Sequence, residues 1–221
     1  MDNTTFGIYM GLSTATIILL SVLFIGWTAE AIRTTTIRSY SRAFGPKLAI
    51  FVDNYFTFIG VIHHELSHLL AAILTGAKVV EFRLFKVKNG TLGYVNIVPR
   101  GPFWLRAVQQ AISGLAPILF GEITLMCIYT YGIHSREEVD IWTAVFIILM
   151  MQISYHMSMS KQDLRIAAKG LWAVYILLAL IFAIVHLNYA VYREFIFVIL
   201  CIMVLNMLLA QIIKGIISLF R

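Results

Sequence analysis

Of the 221 residues, 60% are hydrophobic and only 13% are charged. A soluble domain carries about 25% charged residues, so this chain has too little polar surface to be surrounded by water. The formal net charge of +6 does not indicate a nucleic-acid partner, because the basic residues are spread over short segments between apolar runs, the pattern of a membrane protein.

A helix crosses a bilayer with roughly 20 apolar residues. Six runs meet that length: 7–27, 48–74, 107–132, 141–157, 171–191 and 195–213. They predict an all-α integral membrane bundle of about six transmembrane helices, a single domain over 1–221 held in the lipid bilayer. The first run has only Asp2 as a charge ahead of it and no small-x-small cleavage site after it, so it reads as a permanent helix. Residues 28–47 read as a basic connection, and Gly45-Pro46 marks a stop before the second run. That second run carries Asp53, Thr57, Gly60, His64 and His68 at helical spacing, a polar-to-small face expected to point into the bundle.

Residues 76–106 do not read as helix. Alternation over 79–87, an Asn89-Gly90 turn and alternation again over 91–98 predict a short β-hairpin-like segment, 79–98, between the second and third spans. The loop 133–140 is acidic, with Glu137, Glu138 and Asp140, and 158–170 is a polar stretch leading into the fifth run. Most of the 17 basic residues lie in 78–106, in 161–169 and at the C-terminal end. Basic residues in short loops mark the cytoplasmic side, so both termini are predicted to be cytoplasmic. Cys127 and Cys201 fall within spans, form no C-x-x-C pair, and are expected to be packing residues without a disulfide.

The second run contains His64-Glu65-Leu66-Ser67-His68. Histidines at i and i+4 lie on one helix face and can bind one metal ion, and the glutamate after the first flanks the water that the metal activates. Zinc lowers the pKa of such a water to about 7, and the glutamate takes its proton as it attacks a peptide carbonyl. Shuffling a chain of this composition gives the motif in roughly one case in two hundred. Ionisable groups at membrane depth also cost at least ~2.5–3.5 kcal/mol each, so three together need a compensating role. The plainer alternative is that the histidines bond neighbouring helices and Glu65 pairs with a basic residue, but no span offers Lys or Arg at matching depth. His63 would need its partner at Ser67, which makes it a supporting or packing residue.

His64-Glu65-Leu66-Ser67-His68-Leu69-Leu70-Ala71-Ala72, followed by Thr75-Gly76, resembles the zinc helix of the site-2 protease family of intramembrane metallopeptidases. Ser113-Gly114-Leu115-Ala116-Pro117, ending at Gly121, resembles that family's Gly- and Pro-bearing segment. The resemblance covers roughly 48–172, the core expected to carry the zinc site, and only the zinc motif within it is specific. It implies one Zn2+ per chain, with His64 and His68 as ligands and Glu65 as general base. The family's third ligand is an aspartate in an Asn-Pro-x-x-Asp-Gly-like string, which this chain lacks. Asp163, after Ser160-Lys161-Gln162, resembles a divergent version of it. His156 is the rival, favoured by depth in the span, while Asp53 and Glu122 are poorly placed along their helices. The third ligand stays open between Asp163 and His156.

The expected activity is zinc endopeptidase cleavage of membrane-embedded or membrane-proximal segments of protein substrates near the cytoplasmic face. The hairpin segment would accept an extended substrate by strand addition, with Gly93 and Asn96 as candidate contacts. Alternatively it lies on the membrane surface and meets anionic lipid through Arg83, Lys86 and Lys88. Gly114 and Pro117 are further substrate-contact candidates, though such residues more often pack or kink helices. Two other functions fit the same composition: a catalytically silent membrane scaffold or receptor, and a zinc transporter.

Overall fold

A computed structural model of the chain describes residues 3–84, 93–136 and 138–185, with isolated positions between 197 and 212. The first element corrects the sequence reading. Asn3–Phe44 forms one continuous helix of 42 residues, α1, so the expected connection at 28–47 is mostly helical. Its hydroxyl residues do not interrupt the helix because they turn back onto carbonyls one turn earlier. Thr34 donates to the Glu30 carbonyl at 2.6 Å and Thr36 to that of Ile32 at 2.9 Å.

Gly45 takes φ 83°, a left-handed conformation that only glycine adopts cheaply, and the chain reverses there. Pro46 then starts α2, Pro46–Phe56, whose missing N–H costs nothing in the first turn. The helix breaks at Thr57 and resumes as α3, Phe58–Thr75. α3 stops at Gly76, again left-handed at φ 73°, whose N–H meets the carbonyls of Ala72 and Ile73.

The expected hairpin is present as β1, Lys78–Arg83, antiparallel to β2, Tyr94–Val98. A bulge lies between Val79 and Glu81, and Glu81 pairs with Asn96. The Asn89-Gly90 turn lies outside the described residues. α4, Phe103–Cys127, follows and runs on as π-helical turns over Ile128–His134. Asp140 caps α5, Ile141–Tyr155, by accepting the Thr143 N–H at 2.9 Å. That bond holds the Asp140 carboxyl below its ordinary pKa. The polar stretch 158–170, expected as a lead-in, contains a short helix of its own, α6, Lys161–Ala168, before α7, Leu171–Ile184.

Six spans are not supported. Among the described residues three helical stretches are long and apolar enough to cross a membrane: Phe6–Phe44, Phe58–Thr75 and Phe103–His134. α6 and α7, bent by 63° at their junction, make a fourth if taken as one broken span, and Ile141–Tyr155 is a shorter apolar helix. The second run is divided at Thr57, and most of 195–213 lies outside the described residues.

The core joins Val22, Ile25 and Ala29 of α1 to Leu115, Ile118 and Leu125 of α4 and to Met150 and Ile153 of α5. Leu20, Phe24, Trp27, Ile73, Leu74, Trp104, Ile123 and Leu180 face outward, an apolar exterior of the kind a bilayer covers. Cys127 and Cys201 are free, as expected, but exposed instead of packed.

One charged pair ties α1 to the bundle. Arg33 Nη2 donates to Asp53 Oδ2 at 2.9 Å, and the Tyr155 hydroxyl donates to Asp53 Oδ1, also at 2.9 Å. The Asp53 side chain is only 3% exposed. Removing one partner of a buried pair strands the other, at a cost of about 3–5 kcal/mol. Arg33→Ala, which strands the buried Asp53 carboxylate, is therefore expected to lower thermal stability in detergent by that amount, and an unchanged melting curve would show that the pair contributes nothing.

Candidate metal centre

His64 and His68 stand one turn apart on α3, with their Nε2 atoms 3.3 Å from each other. Asp163, from α6, closes the group. Its Oδ1 is 3.6 Å from His68 Nε2, and its Oδ2 is 4.0 Å from His64 Nε2. One donor atom from each of the three residues lies within 4.8 Å of the others, so the group can hold a metal ion.

The hydrogen bonds on the far side of each ring determine what the near side offers. His64 Nδ1 lies 2.8 Å from the His156 carbonyl, and His68 Nδ1 lies 2.8 Å from the Ser113 carbonyl. A carbonyl oxygen only accepts, so each Nδ1 carries the proton. In the neutral rings both Nε2 atoms are then bare lone pairs facing each other and a carboxylate. One added proton satisfies two of these three acceptors, whereas a cation satisfies all three. Donation from the second ring nitrogen to a carbonyl is the usual way a ligating histidine is oriented.

Asp163 reaches the histidines because the chain leaves α5 and turns inward. Met157, Ser158 and Met159 are buried without being helical. Ser160 then opens α6 with a reciprocal cap: the Asp163 N–H meets Ser160 Oγ at 3.1 Å, and the Ser160 N–H meets Asp163 Oδ2 at 3.0 Å. The cap occupies Oδ2 and leaves Oδ1 for the nearer histidine. Gly114 admits this segment, since a Cβ there would lie 2.4 Å from the Asp163 carbonyl oxygen.

The rival ligand is differently employed. Thr57 Oγ1 donates to the Asp53 carbonyl, so it accepts from His156 Nε2, 2.7 Å away. The His156 ring thus holds the α2–α3 break, and its main chain, not its ring, serves the centre. His63 bonds Thr124 of α4 at 2.9 Å, in keeping with a packing role. Asp53 pairs with Arg33. Glu122 is buried in α4, apart from the three-residue group.

Glu65 is half-buried, and Gly93 packs directly against it: a Cβ at Gly93 would come within 2.6 Å of Glu65 Cγ. The start of β2 therefore lies over the glutamate next to the metal-capable group. Asn96 is exposed, three residues further along the strand. Pro117 is fully buried inside α4. Sequence reasoning missed the two carbonyls that orient the histidines. It also missed that Ser160-x-x-Asp163 is a cap, although a serine three residues before an acidic residue is a readable signal.

No family model matches the chain, and comparison with curated proteins and with solved structures returned no match. The functional reading therefore rests on the residues and their geometry.

Proposed function

We propose that the protein is an intramembrane zinc endopeptidase of the site-2 protease kind. It would cut peptide bonds in membrane-embedded or membrane-proximal segments of other proteins, near the cytoplasmic face. The observation that carries this reading is the convergence of two oriented Nε2 atoms and a carboxylate beside Glu65. His64, His68 and Asp163 would hold one ion per chain. Four ligands placed tetrahedrally at 2.0–2.1 Å from zinc stand about 3.3–3.4 Å apart. The Nε2 pair at 3.3 Å fits that spacing, and the carboxylate oxygens, at 3.6 and 4.0 Å, stand slightly outside it.

When bound, zinc would polarise the scissile carbonyl and lower the pKa of the attacking water to about 7. Glu65 accepts that water's proton and returns it to the leaving amine nitrogen. His64 and His68 are held in the ligating tautomer by their carbonyl partners, so neither ring has to turn. The hairpin supplies the place for substrate. A membrane helix keeps its peptide groups hydrogen-bonded and must unwind before it is cut. An extended segment added along the hairpin edge would run past Gly93 and so past Glu65, with Asn96 further out as a contact.

The cytoplasmic placement of the site is read from the basic residues of 78–106 and 161–169; the expectation that both termini share that side also required six spans. The test is purified protein with a membrane-anchored peptide. One equivalent of zinc, with cleavage lost on chelation and restored by zinc, is the expected result. Zinc bound at one equivalent with no turnover of any membrane-anchored segment would make the chain a silent scaffold instead.

A further inference from the structure

α4 has a proline in its interior, and its position relative to the metal-capable group is specific. In an α-helix the carbonyl of residue i takes the N–H of residue i+4. Pro117 is four residues after Ser113, has no N–H to give, and its ring crowds the carbonyl at that position. The Ser113 carbonyl is the one that lies 2.8 Å from His68 Nδ1. His64 has a parallel arrangement. Its Nδ1 meets the carbonyl of His156, which follows the last residue of α5 and is likewise free of a helical partner. Both rings thus lean on carbonyls that the helices themselves leave open.

We propose that Pro117 is a positioning residue of the metal centre: by leaving the Ser113 carbonyl open, it fixes His68 with Nδ1 protonated and Nε2 turned toward Asp163. This rests on the reading of His68 as a metal ligand. The surroundings make the two groups depend on each other. Pro117 is fully buried, and little water is at hand to satisfy an orphaned carbonyl at this depth. The His68 N–H fills that role, and the carbonyl in turn decides the ring's tautomer. The same short piece of α4 makes room for the carboxylate's segment, because a Cβ at Gly114 would collide with the Asp163 carbonyl. One turn of helix therefore serves two of the three side chains.

The experiment uses the full chain in detergent micelles with 15N-labelled histidine, first without metal and then titrated with Zn2+ against a chromophoric chelator. In the metal-free protein His68 is expected as the Nδ1–H tautomer. In Pro117→Ala the new N–H at 117 takes the Ser113 carbonyl, and the His68 signals move toward the Nε2–H tautomer. Zinc affinity then falls by about 10–100-fold, the usual effect of losing a ligand's outer partner. Pro117→Gly restores the same N–H while letting the helix bend, and is expected to behave alike; it serves if the alanine variant does not fold. A metal-free wild type with His68 bare at Nδ1 overturns the proposal. So does zinc binding within about twofold of wild type in both variants, with only the melting temperature changed. A wild type that takes up no zinc refutes the metalloenzyme reading, and the tautomer of His68 still decides the role of Pro117.

Discussion

Glu65→Gln is expected to lower peptide hydrolysis by about 10²–10⁴-fold, the contribution of a positioned general base, while bound zinc stays at the wild-type level. The amide has the shape of the carboxylate, so its contact with Gly93 persists, and Glu65 is not part of the metal-capable group. What is lost is an acceptor for the proton of the attacking water. Single-turnover cleavage of a membrane-anchored peptide, measured beside metal content, separates the two quantities. A variant that cleaves at the ordinary rate removes Glu65 as the base, and the metallopeptidase reading goes with it.

Asp163→Ala has a second, different signature: zinc content and activity fall together. The loss should exceed the about 10–100-fold that an outer partner costs, because a catalytic zinc site has only three protein ligands. Asp163 also caps α6 through Ser160, so alanine loosens the segment as well as removing a ligand. Asp163→Asn separates the two effects, since its side-chain oxygen still accepts the Ser160 N–H while the negative charge is gone. His156→Ala is the contrasting variant. It deletes the ring that bonds Thr57 but keeps the carbonyl that His64 uses, so stability falls and zinc affinity changes little. Loss of zinc in His156→Ala with retention in Asp163→Ala would reverse the ligand assignment.

The parts of the centre that were legible in the sequence are those set by spacing within one helix. His64, Glu65 and His68 are fixed relative to each other by 3.6 residues per turn, and the polar face from Asp53 to His68 does point inward, although it is broken at Thr57. The hairpin was readable for a similar reason, since alternation is local. The choice between Asp163 and His156 was not readable, because it depends on where the chain turns after α5. That turn is set by burial of Met157 and Met159 and by the room at Gly114, neither of which has a period. The count of spans failed for a related reason: apolar length does not reveal that the second run breaks at Thr57, that the helix Ile141–Tyr155 is short, or that α6 and α7 bend by 63° at their junction.

The length of α1 has a mechanical consequence. Forty-two helical residues make a rod of about 63 Å at 1.5 Å per residue, against a hydrocarbon core of about 30 Å. Even at a tilt of about 40°, the steep end of what membrane helices adopt, the rod spans about 48 Å along the bilayer normal. A sizeable part must therefore stand clear of the hydrocarbon. Its uncharged half covers residues 6–27, so the emergent part is the half bearing Arg38 and Arg42. Arg33, at the root of that arm, grips Asp53, and Asp53 is linked through Thr57 and His156 to the ring of His64. The projecting half of α1 is thus joined at its base, through one ion pair and three hydrogen bonds, to the ring of His64.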